Sequence, residues 1–150
     1  MYKRILVAVD GSDTSEHALR EAISLARDQQ ARLRIVYAIE TVNINAGSEF
    51  SPPPDMEKWW ADAGREILDK ARNQAQEAGV EAETRLIEID KLGEGVPDAI
   101  VEDARAWPAD LVVAGTHGRT GLAHLLMGSV AEGIVRHCRT PVLLVRGSQA

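Results

Sequence analysis

The sequence predicts an α/β fold: a five-stranded parallel sheet with helices on both faces. Three observations carry the prediction. The apolar runs Ile5-Leu6-Val7-Ala8-Val9 and Leu111-Val112-Val113-Ala114 are continuous, as strands covered on both faces must be. Such runs alternate with stretches whose apolar residues recur at helical spacing, and that alternation is the mark of a parallel sheet with right-handed crossovers. Two glycine-rich turns, Asp10-Gly11-Ser12 and Gly115 to Gly118, follow the first and fourth strands. In sheets of this kind a ligand sits beyond the carboxyl ends of the strands, where the strand order reverses. If strands one and four are neighbours there, both turns meet at one crevice.

Taken in order, the first strand covers Ile5 to Val9. Asp13-Thr14-Ser15-Glu16 has the spacing of a capping box. A helix with Ala18, Leu19, Ala22, Ile23, Leu25 and Ala26 follows it. The second strand runs from about Arg32 to Ile39, with Leu33, Ile35 and Tyr37 alternating against Arg34 and Val36. Thr41 to Asp55 contains Ser51-Pro52-Pro53-Pro54, which excludes helix and favours an extended loop. A helix resumes near Met56 with a stripe of Trp60, Ala63, Ile67, Ala71, Ala75 and Ala78, and Gly79 is placed to end it. Adjacent Trp59 and Trp60 cannot both face the core.

Glu81 to Ile89 alternates, with Ala82, Thr84, Leu86 and Glu88 on one face, and predicts the third strand. Pro97 suits the first turn of a helix carrying Ile100, Val101 and Ala104, which Trp107-Pro108 closes. Strand four is Leu111 to Ala114. The last helix carries the stripe Val130, Ala131, Ile134, Val135 and Cys138, and the last strand is Val142 to Val145. A chain of 150 residues with no composition break or internal repeat reads as one domain, residues 1–150.

Composition narrows the function. A net charge of −6 argues against non-specific nucleic-acid binding, which needs a cationic surface. No apolar run approaches the roughly 18 residues of a membrane span. The single cysteine, Cys138, excludes an internal disulfide and fits a reducing cytosol, so a cytoplasmic location is expected. His17, His124 and His137 have no metal-ligand spacing, and no metal site is expected from them.

The chemistry concentrates between Leu111 and Arg146. Gly115-Thr116-His117-Gly118 follows a strand; nine residues later Gly128-Ser129 opens a helix. Glycine lets a backbone approach a ligand closely, and a helix N-terminus offers free N–H groups and positive potential. The stretch reads as a phosphate cradle. Ser129 can donate its hydroxyl to a phosphate, or it can form a capping box with Glu132. Asp10 can accept from ribose hydroxyls or serve only as a turn residue. His117 can meet phosphate or stand in an exposed turn, and Arg119 can pair with phosphate or face solvent.

The run Gly115-Thr116-His117-Gly118, nine residues, then Gly128-Ser129 resembles the G-2x-G-9x-G-S/T signature of the universal stress protein family, in its ATP-binding branch. The Ile5 to Ser12 opening and the closing Arg139 to Arg146 resemble the family too, so the likeness covers the whole chain. It implies a Rossmann-like fold of the adenine nucleotide α-hydrolase type, with strand order 3-2-1-4-5. It implies ATP, which can carry Mg²⁺, and a homodimer, often through the last strand. By motif, Asp10 matches the acidic residue at the adenosine end, with Ala8 and Val9 as the adjoining wall. Ala38 matches a position whose backbone meets adenine. Ala114, Gly115, His117, Gly118 and Arg119 would lie along the phosphates, with Gly128, Ser129 and the helix N–H groups of Val130 and Ala131.

Catalytic patterns are missing. No G-x-x-x-x-G-K-[ST] loop supplies a phosphoryl-transfer lysine, and no G-x-S-x-G elbow is present. The expectation is nucleotide binding in a stress-response or regulatory role without efficient turnover. A slow ATPase using the same pocket and a nucleotide-free interaction module are the alternatives.

Overall fold

A computed structural model describes residues 1–40, 56–117 and 127–147. The loop expected at 41–55, and Gly118, Arg119 and His124, lie outside the described residues. The element order is β1 (Arg4–Ala8), α1 (Asp13–Gln29), β2 (Arg32–Glu40), α2 (Met56–Glu77), β3 (Ala82–Ile89), α3 (Val96–Ala106), β4 (Leu111–Gly115), α4 (Ser129–His137) and β5 (Val142–Val145). The strands form one parallel sheet in the order β3-β2-β1-β4-β5. β1 and β4 are therefore neighbours, and the order reverses between them.

Alternation along the strands divides the core. Ile5, Val7, Leu33, Ile35 and Val113 face α1 and α2 and pack with Leu19, Leu68 and Ala71. Leu6, Val36 and Val112 face α3 and α4 and pack with Ile100 and Ile134. Each such fully buried side chain contributes roughly 1.5–3 kcal/mol.

Several expectations needed correction. Helix α1 is capped one residue earlier than the capping-box spacing suggested. Ser12 is the N-cap, and its hydroxyl accepts from the Ser15 N–H at 3.2 Å. The Ser15 hydroxyl accepts from the Asp10 N–H at 3.2 Å and donates to the Ser12 carbonyl at 3.0 Å, so Ser15 is buried rather than a surface cap residue. At the other end α1 closes on Gln30 at φ 55, a left-handed terminus without glycine that Ala31 N–H completes by bonding Ala26 O.

In α2 the buried stripe is Ala61, Gly64, Leu68, Ala71 and Ala75, and Ala63 is exposed. The reason is close approach: a Cβ at Gly64 would stand 2.9 Å from Leu86 and 3.0 Å from Tyr37, so the helix lies against the sheet on that face. Trp59 is exposed and Trp60 is half-buried, so the pair does divide between solvent and protein. In β3 Glu88 is exposed and Ile89 is buried. In α4 Val135 is exposed, while Cys138 caps the helix half-buried against the α3–α4 core.

The alternation expected for β2 also fails, because this strand is covered on both faces. Val36 is fully buried, and Arg34 is mostly buried beside it. The Arg34 guanidinium donates to Asp103 of α3 at 3.2 and 3.4 Å, and its carbon lies 5.4 Å from the centre of the Trp107 ring. Arg85 of β3 adds its Nε at 3.1 Å. Burial pushes the Asp103 carboxyl above its ordinary value; the two guanidiniums pull it down without cancelling that push, and Glu83 adds to the rise.

Candidate functional site

The two glycine-rich turns meet where the strand order reverses. β1 pairs with β4 through Ile5–Leu111, Leu6–Val112 and Val7–Val113, which brings Ala8 level with Ala114. β1 pairs with β2 through Ala8–Val36, so Ala38 lies two residues further on, at the level of Asp10. Ala8, Ala38 and Ala114 all fall on the α3–α4 side of the sheet by alternation. Three small side chains therefore stand at the ends of three adjacent strands on that side, Ala114 buried and Ala8 and Ala38 half-buried. Val9 faces the other way, into the core beneath α1, so only its backbone borders that side.

Asp10 is partly buried in a tight turn. Its Oδ1 accepts the Ser12 N–H at 2.9 Å, across a Gly11 at φ 83. That left-handed φ is one most side chains resist, so Gly11 is required by the bend itself. The turn role and the ligand role expected of Asp10 are compatible, since a carboxylate has about four acceptor positions.

The opposite wall is the start of α4. Gly128 is the N-cap, with its N–H bonded to the Thr116 carbonyl at 2.6 Å. That bond ties the helix start to the turn after β4. The capping box weighed for Ser129 and Glu132 does not form: Ser129 is the first helical residue, and Glu132 reaches down the helix to Arg136 at 2.8 Å. The Glu132 carboxylate, still in the first turn of α4, is thereby paired with Arg136 at the surface. Ser129 is exposed, whereas the Ala131 side chain is buried in the core and only its backbone can serve a ligand.

At this edge, side chains already engage the starts of α1 and α3. Ser12 caps α1. At α3, Glu40 accepts from the Val96 N–H at 3.1 Å and Asp98 from the Gly95 N–H at 3.2 Å. The N-caps of α3 and α4 are glycines without a side-chain capping bond, and no capping bond from a described side chain is made at the α4 N-cap. An anion is drawn to such an end by free donors and the helix dipole together.

His117 stands at the head of the turn, its Nδ1 3.1 Å from the buried Thr116 hydroxyl. Gly115 also has a packing task. A Cβ there would come within 2.7 Å of Thr14 Cγ2, so this glycine serves packing against α1. An open cleft of about 410 Å³ between α1 and α2 touches the Gly11–Ser12 turn from behind, with Glu16, Arg20 and Lys70 around it. It lies on the α1–α2 side of the sheet, away from Ala8, Ala38 and Ala114. No group of three or more His, Cys, Asp or Glu among the described residues is placed to hold a metal ion.

The family model described as the universal stress protein family matches residues 1–146. The chain belongs to the universal stress protein family. A universal stress protein of Methanocaldococcus jannaschii is 36% identical over 97% of this chain and 83% of its own length. Among solved structures, one from the universal stress protein family of Burkholderia pseudomallei is 36% identical, with a TM-score of 0.78 and 95% of each chain covered. Another is a universal stress protein in complex with cAMP, 32% identical, with a TM-score of 0.72 and 98% and 99% of the two chains covered. The universal stress protein described here shares its overall fold with these two solved structures, and its own strands one and four are adjacent at the reversal.

Sequence reasoning missed the residues that hold the site's walls in place. Thr14, Glu40 and Gly133 carry no local signature, and the local reading of Pro97 as a first-turn residue says nothing of its contact with Gly133. Their roles come from contacts between elements far apart in the chain.

Proposed function

We propose that this universal stress protein is a single-domain, cytoplasmic, nucleotide-dependent regulator that binds ATP in the crevice between the turns after β1 and β4. The observation that supports it best is the start of α4, which the Gly128 N–H bonds to the turn after β4, next to β1 where the strand order reverses. The α-phosphate end would meet the N–H groups of Ser129, Val130 and Ala131 and the Ser129 hydroxyl. Asp10 would accept from ribose, and the backbone at Ala38 would meet adenine. His117, Gly118 and Arg119 would follow the outer phosphates, with Mg²⁺ brought by the triphosphate. A family member solved with cAMP supports an adenine nucleotide as the ligand class.

Isothermal titration with ATP tests the reading against a Gly128→Val variant. Micromolar binding by the wild type is expected, with a loss of about a hundredfold or more when bulk replaces the glycine hydrogen beside the phosphates. Equal binding by both proteins would sink the proposal.

The same reading includes a homodimer through β5. Val142 to Val145 is an apolar edge strand, bonded to β4 on one side, with all four residues only half-buried. Unprotected apolar edges recruit partners. Leu144→Lys is expected to convert a dimer to a monomer by light scattering, with the circular dichroism spectrum unchanged. A dimer that survives with native spectrum would place the interface elsewhere.

A further inference from the structure

We propose that Thr14 is a positioning residue for the nucleotide site, a wedge that makes the end of β5 part of that site. The inference rests on the reading of the crevice as nucleotide-binding. Thr14 lies in the first turn of α1. A Cβ at Gly115, where β4 ends, would stand 2.7 Å from Thr14 Cγ2 and 3.2 Å from the Thr14 backbone carbon and oxygen. A Cβ at Gly147, just past β5, would stand 2.7 Å from Thr14 Oγ1. Neither glycine has a positive φ, so backbone conformation does not demand glycine at either place. Space does.

A hydrogen bond closes the arrangement. Thr116 N–H, in the turn that leads to His117, donates to the Val145 carbonyl at 2.9 Å. The turn after β4 and the end of β5 are therefore bonded to each other, and each keeps a glycine where an added Cβ would strike the same threonine. Oγ1 and Cγ2 branch from one Cβ and cannot move independently. Pressure on Oγ1 from position 147 turns Cγ2 toward Gly115 and shifts the phosphate turn. Position 147 has no place in the glycine signature, yet it is mechanically connected to the site. The outer edge of the sheet thereby gains a route to the nucleotide turn.

The test is a double-mutant cycle read by ATP titration. Gly147→Ala is expected to weaken ATP binding about tenfold, because its methyl overpacks Thr14. Thr14→Ala, which removes bulk and cannot clash, is expected to weaken binding about threefold by loosening the turn. The double variant should bind within about twofold of Thr14→Ala alone, since the added methyl then has room. Gly115→Ala should not be rescued by Thr14→Ala, because its methyl also meets the Thr14 backbone. The proposal is overturned if folded Gly147→Ala binds like the wild type, if Thr14→Ala has no effect, or if the double variant binds no better than Gly147→Ala. If the wild type itself takes no ATP, the nucleotide reading has failed and the wedge is judged separately. The amide resonances of Gly115, Thr116 and His117 should then shift in Gly147→Ala and return in the double variant; unchanged resonances would overturn it.

Discussion

A Gly133→Val variant is expected to melt about 10 °C below the wild type, a loss of about 3 kcal/mol, and to bind ATP at least tenfold more weakly. Gly133 lies in the middle of α4, where it meets the first turn of α3. A Cβ added there would stand 2.5 Å from Pro97 Cβ and 2.6 Å from its Cγ. Ordinary carbon contacts are about a full ångström longer. The proline ring cannot swing aside, because its side chain is closed onto its own backbone. The helices must separate instead, and Ile134 and Ile100 lose contact in the core between them. Because α4 is a short rigid rod, its N-terminus moves as well, and the donors at Ser129 and Val130 leave their place opposite Asp10. Gly133→Ala should show the same two effects at smaller size. Thermal melts and ATP titration on the pair check this; melting within 2 °C of the wild type for the valine variant would mean that the helices yield at little cost.

Replacing Asp103 should cost as much by a different mechanism. Asp103→Ala is expected to destabilise the fold by about 3–5 kcal/mol, because it leaves Arg34 mostly buried with its charge uncompensated. The Trp107 face is a weaker partner, worth about 1–2 kcal/mol. Truncating both members should cost less than the sum. An Arg34→Met, Asp103→Leu double variant is expected to recover most of the loss, since an apolar pair of similar volume carries no desolvation penalty. Chemical denaturation of the four proteins measures the coupling, and simple additivity would show that the ion pair does not act as a unit.

The pH dependence follows from the direction of the Asp103 shift. Burial raises its carboxyl in the folded protein above the ordinary value of 3.8. Just above that value the folded state holds a proton that the unfolded chain has released. Folding stability from this group therefore falls as pH rises through that window, and it is level once the folded carboxyl has ionised. Asp103→Asn removes the titration. The stability gap between wild type and Asp103→Asn should narrow as pH is raised through the acid range just above 3.8 and stay constant near neutrality. A gap that widens over the same range would mean that the guanidiniums outweigh burial.

How far the sequence could be read depended on the range of the physics. Continuous apolar runs at Ile5 and Leu111 revealed buried strands because a parallel strand must be apolar on both faces. Pro97 and Gly79 marked a helix start and a helix end because their constraints act on the backbone locally. Where a pattern admitted two local solutions, the spacing did not decide between them. Asp13-Thr14-Ser15-Glu16 and Ser129 to Glu132 have the same capping-box spacing, yet Ser12 and Gly128, each one residue earlier, are the caps. Arg34 was read as the polar side of an alternating strand, and its burial depended on Asp103, 69 residues away.

The sequence by itself determined the class of fold, the sheet order through its resemblance, the family, and the two turns that converge at the reversal. These follow from periodicity, glycine placement and motif spacing, which are properties of contiguous residues. Only the tertiary structure decided which helix donors meet a distant side chain, and which glycines are needed for close packing. Glu40 accepts from the Val96 N–H at the start of α3, and a Cβ at Gly115 or Gly147 would strike Thr14. Such outcomes depend on which atoms arrive within a few ångströms after the sheet has closed, and no window of sequence contains that information.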